Sequence, residues 1–210
     1  MTTGDLTGTG ASSGGRTSRT APKLEKLLSS SAGLMAQRGF SQTSIRDVAN
    51  ETGFSLGGMY YYFKSKEDLL YLIQEKTFSS LLEIQEAAAS HDGTAEERLR
   101  KLIGNHLAYF LSHANELKVC TFELESLQDE RYDRIAVLRR RYFSCMAHAV
   151  AEVLGESPNH PGVRHKTLFI FGMLNWIFMW FDPERDEPVD RLGDEMVDLV
   201  LNGLNGGKDG

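Results

Sequence analysis

At 210 residues, 41% of them hydrophobic and 25% charged, the chain is long enough for one large domain or two small ones and has an ordinary globular composition. Its two cysteines, Cys120 and Cys145, are too few for a disulfide framework, and no signal-like apolar segment opens it, so a reducing cytoplasm is the expected compartment. The net charge of −6 is unevenly spread: residues 1–66 hold 8 Lys/Arg against 4 Asp/Glu, residues 67–210 hold 15 against 25, and this basic head on an acidic body fits a DNA-facing domain joined to a regulatory one.

Residues 1–20 are Gly, Ser and Thr with almost nothing apolar, and are expected to form a disordered tail. Pro22 suits a first helical turn; Leu24, Leu27, Leu28, Ser31, Met35 and Arg38 then follow helical spacing up to Gly39 as the stop. A second helix starts at Thr43 or Ser44, because Ser44 and Asp47 make a capping-box pattern, and it ends at Gly53. Ser55 caps a third, on which Leu56, Met59 and Phe63 are expected to pack inward.

Gly57, Gly58, Tyr60, Tyr61 and Tyr62 are left on the other faces of this third helix. A mid-helix glycine costs ~1 kcal/mol relative to alanine, so a pair of them points to close approach of the helix backbone to another surface. The tyrosines, with Lys64 and Lys66, offer hydroxyl donors, flat apolar faces and positive charge, which suit phosphate and groove contacts. The spacing fits both a helix-turn-helix laid on DNA and a plain αα-hairpin inside a helical core.

Ser65 and Asp68 repeat the capping pattern and open a fourth helix through Leu69, Leu70 and Ile73 and beyond Leu81, the natural lever from head to body. His91-Asp92-Gly93 breaks it. Thr94 and Glu97 cap a helix whose Leu99, Leu102, Ile103, His106, Leu107 and Phe110 form one apolar stripe. A less regular helical segment, Leu117 to Leu127, follows; Ile135, Leu138, Tyr142, Met146, Ala149, Val150 and Val153 then stay in register up to Gly155.

Two more helices are expected at about 164–181 and 188–204. The apolar run Leu168–Phe181 is shorter than the ~20 residues a membrane helix needs and carries Asn175, which argues against a membrane span. A helix that is apolar nearly all round must be covered on every face, so these last two helices are expected to meet their copies in a homodimer.

Phe110, Tyr142, Met146, Asn175 and Met179 suit the lining of a cavity between helices, although plain core also accounts for such residues. Arg139, Arg140 and Arg141 stand out in an acidic body, either as an anion site or as a solvated face. The histidines have no compact metal spacing, no phosphate-binding glycine loop is present, and neither cysteine has a cue for activation, so neither an enzyme nor a cofactor is expected.

The run Leu34–Lys76 resembles the DNA-binding domain of the TetR family of bacterial repressors. The matching pieces are Arg38-Gly39-Phe40, Thr43 through Ala49, Gly53, Tyr60-Tyr61-Tyr62-Phe63 and Lys64 through Leu70. The resemblance implies phosphate contacts from Thr43, Ser44, Tyr61, Tyr62 and Lys66, and groove contacts from Ser55, Leu56, Gly57, Gly58 and Tyr60. Leu56, Gly58 and Tyr62 depart from the common family pattern of Lys, Thr or Ser, and His, so no operator sequence carries over.

The body resembles the branch of fatty-acid and sterol-catabolism regulators (FadR-like and KstR-like), through Arg98-Leu99 with His106-Leu107, Arg139 through Tyr142, Phe171 through Trp176, and Trp180 through Pro183. That resemblance implies an acyl-coenzyme A effector, and the family implies a dimer on a palindromic operator.

The expectation is thus an all-α protein of about nine helices, with a three-helix helix-turn-helix head over residues 21–66 and a ligand-binding and dimerisation body over 67–205. Its expected function is a repressor of lipid or fatty-acid metabolism genes that binds double-stranded DNA and is released by a small apolar, acidic effector. The alternative is a helical small-molecule-binding or protein-interaction module that does not read DNA.

Overall fold

A computed structural model of the protein describes residues 17–205, and these are all-α, with nine α-helices and no strands. The head holds α1 (Thr17–Arg38), α2 (Ile45–Thr52) and α3 (Leu56–Met59). The body holds α4 (Lys66–Ala89), α5 (Ala95–Ser112), α6 (Ala114–Phe122), α7 (Asp129–Leu154), α8 (Pro161–Asn175) and α9 (Val189–Asn205), with 3-10 turns at Leu124–Ser126 and Ile177–Met179. Of the tail expected to be disordered, residues 1–16 lie outside the described residues, whereas Thr17–Thr20 are helical and start α1 ahead of Pro22. Pro22 therefore sits inside the helix, where its ring holds a helix-compatible φ but donates no N–H.

Local chemistry sets most helix ends. Ser44 Oγ accepts from the Asp47 N–H at 3.2 Å while Asp47 Oδ2 accepts from the Ser44 N–H at 2.8 Å, and Thr94 and Glu97 reproduce this reciprocal box on α5. Gly53 and Gly155 close α2 and α7 at φ 70° and 66°, a left-handed conformation that costs glycine nothing. The third expected box is only half present. Ser65 Oγ caps the Asp68 N–H at 3.1 Å, but the Asp68 carboxylate turns away to the Lys64 N–H at 3.0 Å and to Arg131.

Two expectations are corrected. α3 is a single turn, so the inward spacing extrapolated from a longer helix fails at its start: Met59 and Phe63 are buried, but Leu56 is 39% exposed. The helix expected over 164–181 stops at Asn175, and within the bulky run that follows, whose side chains lose rotamer freedom in a helix, Ile177–Met179 tighten into a 3-10 turn.

Packing joins distant elements. α4 lies along α7, α5 along α9, and α1 of the head against α6 of the body. Leu27, Met35, Val48, Met59 and Phe63 fill the head, and Leu99, Leu102, Ile103, Ile135 and Val150 fill the body, all nearly or fully inaccessible. No described helix is long and apolar enough to cross a membrane.

Candidate nucleic-acid interface and effector cavity

α3 is positioned by its ends. Ser55 Oγ accepts from the Gly58 N–H at 3.1 Å and Met59 anchors the turn in the core, which leaves Leu56, Gly57, Tyr60, Tyr61 and Lys64 exposed around it. A Cβ at Gly57 would meet nothing within 4 Å, so no contact inside the molecule requires glycine there. At Gly58 it would come within 3.1 Å of Ser55 Oγ, a tight approach that the N-cap geometry itself explains. Tyr61 is 78% exposed and packs edge-on against the half-buried Tyr62, with ring centroids 5.2 Å apart. Exposed tyrosines, a bare helix backbone and a neighbouring Lys64 are the chemistry of phosphate and groove contact.

Three other expected contact residues are engaged within the head. Thr43 is buried, and its hydroxyl donates to the Gly39 carbonyl at 2.9 Å. The Lys66 ammonium donates to the carbonyls of Phe40 at 2.7 Å and Ser41 at 3.3 Å and lies over the Phe40 ring. Ser44 Oγ donates to Asp47 Oδ2 at 2.5 Å, and this bond with the Ser44 N–H holds the Asp47 carboxyl below its ordinary value. Thr43 and Lys66 shape the head from within, whereas Ser44 remains exposed at the start of α2.

The body grips the head at two corners, through residues the sequence analysis did not single out. Glu123, just past α6, accepts from the Phe40 N–H at 3.0 Å in the turn between α1 and α2, and its own carbonyl accepts from buried Gln74 at 3.2 Å. Arg131, near the start of α7, pairs with Asp68, which in turn holds the Lys64 N–H. Burial pushes the Asp68 carboxyl up, but Arg131 and the N–H groups of Lys64 and Ser65 outweigh it and leave the group below its ordinary value. Between these grips Asp129 takes φ 55°, a left-handed conformation Asp tolerates better than most side chains.

A half-open pocket of about 200 Å³ lies between helices of the body. Phe110, Arg139, Tyr142 and Asn175, all candidates from sequence, line it together with Leu117 and Cys120 of α6 and Phe171 of α8. Met146 is plain core at 1% exposure, and Met179 is a correction: the 3-10 turn after α8 carries it to the surface at 58% exposure. Beneath the pocket the Tyr142 hydroxyl shares a hydrogen bond with His106 Nδ1. Burial pushes the His106 imidazole down to about 3, the Leu174 carbonyl offsetting only part of that, so the ring is neutral. Burial likewise pushes the Cys120 thiol up to about 12, which leaves it unreactive.

Arg139 and Phe143 line both this cavity and an adjoining surface cleft of about 310 Å³ that also holds Tyr132 and Arg140. Of the three arginines, Arg141 pairs with Glu86 at 2.6 Å; Arg139 and Arg140 make no ion pair among the described residues. A second surface feature is apolar. Phe169, Trp176, Trp180 and Leu199, between 49% and 69% exposed, rim a shallow groove between α8 and α9 of about 660 Å³.

Comparison with known proteins yields consistent matches. Residues 27–71 match the model of bacterial regulatory proteins of the tetR family, and residues 92–204 match the model of the tetracyclin repressor-like C-terminal domain. The fatty acid metabolism regulator protein of Bacillus subtilis is 23% identical over 187 residues, 88% of this chain and 96% of that one. The HTH-type transcriptional repressor KstR2 of Mycolicibacterium smegmatis is 23% identical over 193 residues, 89% and 93% of the two chains. A crystal structure of AibR in complex with isovaleryl coenzyme A and operator DNA superposes with a TM-score of 0.74 at 21% identity, over 85% of this chain and 98% of that one.

Proposed function

The chain belongs to the TetR family of bacterial DNA-binding transcription regulators, and from that premise we propose that it is a homodimeric repressor of lipid or fatty-acid metabolism genes, released by an acyl-coenzyme A. It is a regulator and not an enzyme. The observation that carries the DNA reading is the exposed face of α3, where Gly57 opens onto empty space between Leu56, Tyr60 and Tyr61. Only an outside surface gives such a bare backbone a use, and a DNA groove is the surface that tyrosines and a lysine would meet there.

The exposed apolar groove on α8 and α9 supports the dimer. Side chains as large as Phe169 and Trp176 standing half or more in water are what a two-fold four-helix interface covers. Two heads related by that axis would read half-sites about 34 Å apart, hence a roughly palindromic operator.

The acyl-coenzyme A reading rests on a largely apolar pocket lined by Arg139, with Arg140 in the adjoining cleft and neither in an ion pair among the described residues, together with the similarity to a fatty-acid regulator and to a complex containing an acyl-coenzyme A. Release follows from population shift: a ligand that fits only the conformation with mis-spaced heads lowers DNA affinity by its differential affinity for the two states.

Fluorescence anisotropy of the purified protein on labelled DNA from its own upstream region, with and without acyl-coenzyme A esters, tests the whole reading. Specific, steeply salt-dependent binding that an ester abolishes is the expected result. No specific binding to any DNA of the locus would instead favour a helical interaction module that does not read DNA.

A further inference from the structure

The outward face of α3 is short of the side chains that read bases by hydrogen bond. From Ser55 to Phe63 the chain holds no Arg, Lys, Asn, Gln, Asp or Glu. The bidentate pairs that pick out guanine or adenine in the major groove, and the carboxylate that accepts from cytosine, therefore cannot come from this segment. Its polar side chains are the hydroxyls of Ser55, Tyr60, Tyr61 and Tyr62. A hydroxyl both donates and accepts, so it separates the four bases poorly, and that of Ser55 already accepts from the Gly58 N–H at 3.1 Å.

What remains of the major-groove code is its apolar part, the 5-methyl group of thymine. Leu56 is placed to meet it. In a helix-turn-helix the opening residues of the second helix meet base edges while the first helix crosses the backbone, and Leu56 is the first residue of α3, held out of the core at 39% exposure. The Tyr60 N–H donates to the Leu56 carbonyl at 3.0 Å, which sets Tyr60 one turn further along the same face. Gly57 beside them carries no side chain, and a Cβ there would meet open space, so the backbone can descend until the Leu56 methyls reach the groove floor. Contact with a thymine methyl then takes apolar surface of both partners out of water. Arg46 on α2 and Lys64 after α3 are both exposed, and they supply a phosphate attraction that does not depend on sequence.

We propose that α3 selects its half-site by thymine methyl groups and not by hydrogen bonds to guanine or adenine, with Leu56 as the side chain that touches the methyl. This rests on the DNA reading above and deepens it by naming the base.

Fluorescence anisotropy of the full-length protein on the tightest-binding duplex from its own upstream region tests it, against duplexes carrying deoxyuridine in place of one thymine in each half-site, position by position. Deoxyuridine lacks only the methyl and keeps every hydrogen-bonding atom. At one position affinity is expected to fall about fifteenfold, which is the roughly fourfold, or ~0.8 kcal/mol, of one buried CH₂-sized group taken once in each half-site. Leu56→Ala, a surface substitution checked by its melting temperature, should bind the thymine and deoxyuridine duplexes alike. Leu56→Met, still long and apolar, should restore the difference.

Equal affinity for every deoxyuridine duplex would overturn the methyl reading and leave DNA binding standing. A preference for thymine that survives intact in Leu56→Ala would overturn the role of Leu56 and assign the preference to DNA shape. Absence of any specifically bound duplex would overturn the DNA reading itself, and this proposal with it.

Discussion

The head and the body treat their functional residues in opposite ways. In the head, the groups offered to a partner stand outside the core on and just after a one-turn helix, within ten consecutive residues from Ser55 to Lys64. In the body they face inward, and α4, α5, α6, α7 and α8 each contribute to one cavity. A surface of the first kind is judged by what is left exposed, a site of the second kind by what the packing leaves empty. Substitutions should therefore separate binding from stability in the head and join them in the body.

The largest effect is expected where two bodies meet. Phe169→Glu places a charge on the exposed apolar face of α8, and sedimentation should show a monomer whose free fold is unchanged. Operator affinity is expected to fall by a hundredfold or more, on the order of the avidity lost when two linked sites become one. A dimer that survives this change would move the interface elsewhere.

Within the head, Tyr60→Ala should cost about 1–3 kcal/mol in operator affinity, roughly fivefold to 150-fold, with no change in melting temperature. Gly57→Ala sharpens the point. Open space at its Cβ leaves the free protein unchanged or more stable by up to ~1 kcal/mol, while DNA affinity falls. If both affinity and stability fell together, Gly57 would be serving the fold instead.

In the body the smaller effect is one of pH. His106 is neutral in the folded protein with its imidazole at about 3, against an ordinary value near 6.5, so below that ordinary value the unfolded chain binds the extra proton. Stability is therefore full above about pH 6.5 and is lost as pH falls, by about 1.4 kcal/mol per unit, until the folded value is reached. Urea denaturation between pH 4.5 and 7.5 measures this slope. His106→Phe, a ring of similar size, should flatten it; an unchanged slope would assign it to other groups.

The difference between the regions also governs how much was legible. Caps such as Ser44 with Asp47 and Thr94 with Glu97 act over three residues, so sequence spacing alone locates them. Phe110, Tyr142 and Asn175 could be named as cavity candidates from their character, but Met146 and Met179 have the same character and lie elsewhere. What separates Met179 is the point where α8 ends, and a run of aromatics carries no sharp stop signal. Leu56 was misplaced because a period of 3.6 has no meaning across a single turn. Glu123 and Arg131 escaped notice altogether, since each reaches more than sixty residues back along the chain.

Those two grips bear on how such proteins can be recombined. The head's Phe40 N–H is satisfied by Glu123, and its Lys64 N–H is held through Asp68 by Arg131. A chimera cut at the start of α4 would give a foreign body a head whose turns were shaped against acceptors it no longer meets. Grafting this DNA-reading module onto another sensor thus requires carrying Asp68, Glu123 and Arg131 with it, so the segment that shapes the head is discontinuous in sequence.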